Sequence, residues 1–201
     1  MHIALEGEER VVLIDETNHV IGTARKSEIH TQRTPLHRGV SVFLFDGRQH
    51  LLLQRRSRKK RTWPLVWSNS CCGHPAPDES NCQAVRRRLS VELGISEAEI
   101  HEVLSDYRYR ARQGKISENE ICPVFIAFSR QAPDINEDEV EEVRWIAWPD
   151  FTREIVACPQ KYTPWCVEEA RLLQKNRLFE GLLVASAVSF VWREDPRRAG
   201  T

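Results

Sequence analysis

Apolar and polar positions alternate in short runs along most of this 201-residue chain, which predicts strands before helices. Residues 10–25 (RVVLIDETNHVIGTAR) read as two strands with a turn at Thr17–His19. A polar loop follows, KSEIHTQRTPLHRG. Next come the strands SVFLFD and HLLLQRR, joined at Asp46–Gly47, a strong hairpin signal. From Ser80 to Gly94 the period lengthens: Ala84, Val85, Leu89 and Leu93 share a helical face, and Gly94 stops it. IHEVLSDYRYRAR and ENEICPVFIAFSR each read as a strand, DINEDEVEE as an acidic loop, and VRWIAW as a strand. PDFTREIV opens a short helix with Pro149 in its first turn. TPWCVEEARLLQKNRLFEGLL predicts one longer helix from Thr163, and the tail EDPRRAGT is expected to be mobile. Strand hairpins mixed with two or three helices predict an α+β sandwich, a mixed sheet covered by helices. The chain reads as a single domain, 1–201, with N-terminal strands to about residue 25 and a C-terminal extension from about Leu182.

The composition narrows the class. Hydrophobic residues make up 41% and charged residues 29%, with formal net charge zero. No global field therefore recruits nucleic acid or an anionic membrane, and anion binding must come from a local cluster. The six cysteines form no CxxC pair, and the start MHIALEGEERVV has no secretory pattern, so a reducing cytoplasm is expected. The longest apolar run, GLLVASAVSFVW, is too short to span a bilayer.

Several groups stand out chemically. His30 and His37 share one irregular loop, His74 lies two residues after Cys72, and Glu118 and Glu120 alternate on a strand and so face one side. Three imidazoles and two carboxylates suit a transition metal such as Zn²⁺ or Mn²⁺. Taken singly, each histidine is more often an ordinary polar residue, as His2, His19, His50 and His101 are expected to be. Lys26, Arg55, Arg56, Arg58, Lys59, Lys60 and Arg61 offer cations to a phosphate, and Glu92 a carboxylate to Mg²⁺. The plain alternative is a solvated basic loop. Cys71 and Cys72 face opposite ways in an extended segment, and Cys72 shares its face with His74; the remaining cysteines default to packing. Trp165, after a proline at a helix start, is placed to lean over a pocket mouth.

The segment WSNSCCGHPAPDESNCQAVRRRLSVELG (67–94) resembles a Nudix box, GX5EX7REUXEEXGU, through Gly73, Glu79, Arg87, Glu92, Gly94 and Ile95. Arg88 and Val91 stand where the box has glutamates. Together with KSEIHTQRTPLHRG, RRSRKKRTWPLVWSNSCCGHP, DYRYRA, ENEICPVF and TPW, in that family's order, the chain resembles the type 1 isopentenyl-diphosphate isomerases from about Lys26 to Trp165. The resemblance implies a Nudix-type α/β/α fold. It implies that His30, His37, His74, Glu118 and Glu120 hold a Zn²⁺ or Mn²⁺ ion. Glu92, helped by the Cys72 carbonyl, would hold the Mg²⁺ on the substrate's diphosphate. Lys26, Arg56, Lys60 and Arg88 would contact that diphosphate. Cys72 and Glu120 would be the acid–base pair, with Tyr109 hydrogen-bonding near Glu120 and Trp165 shielding a carbocation-like species. The implied partner is a small prenyl diphosphate, neither nucleic acid nor membrane, with a monomer as the default and a dimer as the alternative. A Nudix hydrolase of a nucleoside or prenyl diphosphate, or an inactive binding module on the same fold, would share parts of this pattern. Missing box glutamates weaken hydrolysis, and the full Cys72, His74, Glu118 and Glu120 set argues against a mere binder.

Overall fold

The structure is a computed structural model and describes residues 9–194, with side chains to residue 186. The tail expected to be mobile lies, from residue 195 on, outside the described residues.

Two mixed sheets share two bent strand pairs. The first pair is β3 (His37–Arg38) and β4 (Val40–Phe45), separated by Gly39; the second is β10 (Ile116–Ile121) and β11 (Val124–Phe128), separated by Cys122 and Pro123. β3 runs parallel to β10 and β4 parallel to β11. Gly39 N–H donates to Ile121 O at 2.9 Å and Ser41 N–H to Pro123 O at 3.1 Å, so both strands pass from one sheet to the other at the same level. ENEICPVFIAFSR is accordingly two strands, because Pro123 has no N–H for the ladder. IHEVLSDYRYRAR divides likewise into β8 (Glu99–Leu104) and β9 (Arg108–Gln113).

The smaller sheet adds β1 (Arg10–Ile14) and β2 (Val20–Arg25) on one side and β9 on the other, in the order β2-β1-β3-β10-β9. The larger sheet has the order β12-β5-β4-β11-β8, with β5 spanning His50–Arg56 and β12 Val140–Ala147. β12 takes Val140, Glu141 and Glu142 from the stretch expected to be a loop, since β5 offers them a full antiparallel edge. Short strands β6 (Trp67–Ser68) and β7 (Cys71–Gly73) pair with β5 and β4.

β4 is buried at every position because helices cover both faces of its sheet. Val42 and Leu44 pack toward α2 (Asn81–Leu93), against Val85, Leu89 and Leu93. Phe43 and Phe45 pack in the opposite core with Phe151, Cys166 and Phe179 of α3 (Trp148–Ala157), α4 (Pro164–Leu173) and α5 (Arg177–Glu194). The helix expected from Thr163 is thus two, interrupted at Gln174–Asn176, where Asn176 Oδ1 accepts from Phe179 N at 3.0 Å and caps α5. GLLVASAVSFVW belongs to α5. Within the expected polar loop, Lys26–Ile29 forms a single helical turn, α1.

α2 is bounded as its residues dictate. Ser80 and Gln83 form a reciprocal capping box, and Gly94 ends the helix at φ 66°.

Candidate active site

A cavity of about 380 Å³ opens where the two sheets meet, and its wall divides into three chemical zones. Its first zone is a buried cluster of imidazoles and carboxylates. His37 and Glu120 are paired in register on β3 and β10. His74 follows β7, and its loop is clamped by Arg87, which donates to both Glu79 oxygens (2.8 and 2.7 Å) and to His74 O (3.0 Å). His37 and His74 present Nε2 atoms 3.3 Å apart, at 3.4 and 3.3 Å from Glu120 Oε1. Ligand atoms of His30, His37, His74 and Glu120 all lie within 4.8 Å of one another. Glu118 enters through His30, whose Nε2 is 2.8 Å from Glu118 Oε2.

Several of these atoms lack aligned hydrogen bonds. His30 Nε2 and Glu118 Oε2 are buried without a hydrogen-bond partner, as is His74 Nδ1. Pro35 O lies 2.9 Å from His37 Nδ1, which points the His37 Nε2 lone pair into the cluster. Buried, convergent and under-satisfied nitrogen and carboxylate donors fit a divalent transition metal. Burial lowers the His74 pKa to about 4 against the pull of Glu120. For Glu120, burial favours the neutral acid, but hydrogen bonds with His37 and His74 outweigh it and hold the carboxyl well below the usual range.

The second zone is cationic. Lys26, Arg56 and Lys60 line it with two carboxylates, Glu9 and Glu139. Lys26 Nζ is 2.6 Å from Glu9 Oε2, and Lys60 pairs with Glu139. Burial, reinforced by Arg56, Arg88 and Lys26 and opposed by Glu92, brings the Lys60 pKa down to about 7. Glu9 goes to about 2, because Lys26 and Arg88 outweigh the effect of its burial. Arg56 is fixed by Thr62 O and Oγ1 at 2.9–3.1 Å.

Arg88 and Glu92 sit deeper, each 1% exposed, and neither is among the lining residues. Arg88 packs on Gly73, a lining residue, so closely that a Cβ there would meet Arg88 Cγ at 2.7 Å. It reaches Glu92 at 2.8 Å, Glu139 at 3.2 Å and Glu9 at 3.4 Å. Gln54 Nε2 donates to the other Glu92 oxygen at 3.2 Å. Of the remaining basic run, Arg55 and Arg58 pair with Glu142 and Glu141 outside the cavity. Lys59 and Arg61 line its edge, Lys59 paired with Asp138 and Arg61 bonded to Ser27 O.

The third zone, between them, is Cys72, Tyr109 and Trp165. Cys72 and Cys71 do face opposite ways on β7: Cys71 is in the core beneath α2, and Cys72 is on the cavity beside His74. Burial and the Glu169 carboxyl push the Cys72 thiol up to about 12. Tyr109 is paired across β9 and β10 with Glu120. Trp165, expected at a pocket mouth, is instead 2% exposed in the wall, its ring 5.1 Å from Trp63 and 5.5 Å from Tyr109. α4 packs against β9, where the Trp165 ring meets that of Tyr109.

The sequence reading missed Glu9, Glu139, Asn69 and Glu169. Glu139 had a signal: it lies in the acidic stretch, just before the strand that pairs with the strand carrying Arg55 and Arg56. Glu169 also had one, lying one helical turn after Trp165.

A NUDIX domain family model matches residues 35–166. An isopentenyl-diphosphate Delta-isomerase from Saccharopolyspora erythraea is 44% identical over 162 residues, 80% of this chain and 84% of that protein. The protein of the same name from Clavibacter sepedonicus is 41% identical over 182 residues, 90% of this chain and 96% of that protein. The chain belongs to the isopentenyl-diphosphate Delta-isomerase family. The NUDIX fold is equally evident in the crystal structure of DR0079 from Deinococcus radiodurans, with TM-score 0.66, 20% identity, 81% of this chain and 98% of that one covered. Family membership sets the altered box in context: Gly73, Glu79 and Arg87 keep their structural roles, while the position of Arg88 carries a cation among carboxylates. Among the described residues no helix is long and apolar enough to cross a membrane.

Proposed function

We propose that this family member interconverts isopentenyl diphosphate and dimethylallyl diphosphate for isoprenoid biosynthesis. The observation that carries the reading is one cavity joining a buried thiol, a carboxylate held by histidines, an aromatic wall and a cationic end. Lys26, Arg56 and Lys60 bind the diphosphate, with Arg88 raising the positive potential from beneath; Glu9 and Glu139 are the carboxylates that the diphosphate displaces. The prenyl chain then lies along Cys72, Tyr109 and Trp165.

A proton is added to the terminal alkene carbon, leaving a tertiary carbocation-like centre, and a different proton leaves C2. Cys72 and Glu120, with Tyr109 beside the latter, are the acid–base pair on opposite faces: the thiol, kept protonated by its burial, delivers the proton, and the ionised carboxylate receives the one that leaves C2. An unactivated alkene is a very weak base, so the site must exclude water and hold its acid firmly. The buried Trp165 and Tyr109 rings do the first and offer π faces to the cation. His30, His37, His74, Glu118 and Glu120 hold a Zn²⁺ or Mn²⁺ ion, which supplies electrostatic tuning of the carboxylate. Glu92, whose two oxygens are held here by Arg88 and Gln54, and the Cys72 carbonyl would be the protein's ligands for a Mg²⁺ carried with the diphosphate. The enzyme is read as a cytoplasmic single-domain monomer acting on a small molecule.

The test is product analysis by NMR with purified protein, isopentenyl diphosphate and Mg²⁺, repeated with Cys72→Ala and Glu120→Gln. Dimethylallyl diphosphate forms with the parent and fails to form with either variant. Undiminished turnover in both would sink the assignment, and phosphate release without allylic product would replace it with hydrolysis.

A further inference from the structure

The helix that brings Trp165 to the cavity carries another buried group, one that the proposed chemistry leaves unused. Glu169 is 0% exposed. Its Oε2 accepts a hydrogen bond from Ser41 Oγ at 2.7 Å, and its Oε1 is buried with no partner. Burial pushes this carboxyl well above the usual range, against the Ser41 bond. A half-satisfied buried carboxyl costs folding free energy, and an apolar side chain of similar size would pack there at lower cost. Stability therefore does not explain it.

The hydrogen bonds around it lead to the cavity. With the Ser41 proton committed to Glu169, the Ser41 lone pairs face the other way. Asn69 Nδ2 donates to Ser41 Oγ at 2.9 Å, and Cys72 Sγ lies 3.6 Å from the same oxygen. Asn69 also brackets the sulfur, with Nδ2 at 3.1 Å and Oδ1 at 3.3 Å. Ser68 donates to Asn69 Oδ1 at 2.9 Å and bonds Thr163, the residue that opens α4. Thr163, Ser68, Asn69, Ser41 and Glu169 are all 0% exposed. One helix thus anchors both ends of a buried network, and the member of that network on the cavity wall is Cys72.

We propose that Glu169 is a positioning residue for Cys72: through Ser41 and Asn69 it fixes the hydrogen-bond directions around the sulfur and so the way the thiol faces the substrate. The inference rests on the assignment of Cys72 to proton transfer. Without an acceptor at position 169 the Ser41 hydroxyl turns freely, can donate to the sulfur, and lets the thiol leave its productive orientation.

The test compares Glu169→Met, Glu169→Gln and Ser41→Ala with the parent, with Cys72→Ala as the reference, by kcat, KM and the urea unfolding midpoint. Glu169→Met is expected to lose about tenfold or more in kcat, since small misplacements of a reacting group cost that much. Its KM stays within about twofold, because the diphosphate is held by other residues. Its unfolding midpoint stays level or rises. Glu169→Gln keeps kcat within about threefold, since an amide oxygen accepts the same hydrogen bond. Ser41→Ala reproduces the Glu169→Met loss, and the double variant is no worse. Parent kcat in Glu169→Met overturns the proposal. So does a Gln variant as impaired as Met, or a loss of kcat that comes with a raised KM and a lowered midpoint. Parent turnover in Cys72→Ala removes the role of Cys72 itself and distinguishes that failure from a fault in the network.

Discussion

Gly39→Ala adds one methyl group at the bend where β3 becomes β4, and the geometry there predicts a specific loss. An added Cβ would stand 2.0 Å from Glu120 Oε2 and 3.0 Å from Glu120 Cδ and Cys122 Sγ. Non-bonded atoms rest at roughly 3.5 Å, so the carboxylate must retreat by more than about 1 Å. Metal ligation tolerates only about 0.2 Å, so Glu120 leaves the point on which His37 and His74 converge. Glu120 is the flexible partner in the clash, whereas Gly39 is held by its bond to Ile121 O. The fold should therefore survive at an overpacking cost of about 1–3 kcal/mol. For a chain of this length that is roughly 2–4 °C of melting temperature per kcal/mol. Metal affinity should fall by at least the ~10–100-fold typical of disturbed ligand support. The assay is metal content by mass spectrometry after dialysis, with isomerisation rate and thermal melting on the same samples. Gly181→Ala, on α5 with nothing within 4 Å of its added Cβ, is the matched control. It should bind metal normally and be stabilised by about 0.5–1 kcal/mol. Full metal content and parent turnover in Gly39→Ala would refute the reasoning.

Two further outcomes follow from the cationic zone. Lys60, with its pKa brought down to about 7, loses its charge as pH rises past neutrality, so KM for the diphosphate should climb above about pH 7. Lys60→Met should raise KM and flatten that pH dependence. The sign for stability is the reverse of a gain: the folded pKa lies below the reference 10.5, so the unfolded chain holds more protons between the two values and stability rises with pH across that window. Urea titrations at pH 6 and pH 9 should find Lys60→Met most stabilising at the lower pH, and equal effects at both would contradict the assignment. Arg88→Met leaves the buried Glu92 without its main cation and should cost about 3–5 kcal/mol in urea unfolding. Adding Glu92→Gln should recover part of that loss, and strict additivity of the two changes would show that the pair is not coupled.

The local signals in the chain were sufficient for much of the fold. The Asp46–Gly47 hairpin is closed by Asp46 itself, whose Oδ1 accepts from Arg48 N and His50 N, and α2 begins and ends at the expected cap residues, Ser80 and Gly94. What sequence reading joined and the fold divides, at Cys122–Pro123 and at Gln174–Asn176, depends on non-local partners. Pro123 breaks the ladder locally because it has no N–H, but that the chain continues in a second sheet depends on β4 bending beside it, a neighbour that nothing near Pro123 in sequence encodes. The site followed the same rule. His74, Cys72 and Gly73 were legible because one short segment holds them. Glu9 was not, because it matters through Lys26, 17 positions away, and the helical spacing of Glu169 from Trp165 does not reveal its partner Ser41, 128 positions away.

The replacement of a box glutamate by Arg88 does more than delete a ligand. Leaving aside the exposed Lys59, Arg61 and Asp138 at its edge, the cationic zone has three carboxylates, Glu9, Glu92 and Glu139, and four cations, Lys26, Arg56, Lys60 and Arg88. A glutamate at position 88 would invert that balance in a place 1% exposed, where water screens little. Such a site would gather metal ions first and meet the diphosphate through them. With arginine there, the positive excess resides in the protein, and on the proposed reading the lining cations attract the diphosphate directly. The water-activating carboxylates of a hydrolase are then absent from the end of the cavity where the P–O bonds lie. The carboxylates of the cavity wall outside the cationic zone, Glu118 and Glu120, are at the histidine cluster. The substitution in the box and the buried cluster outside it are thus two parts of one arrangement, in which the diphosphate is an anchor and the chemistry is directed at the carbon chain.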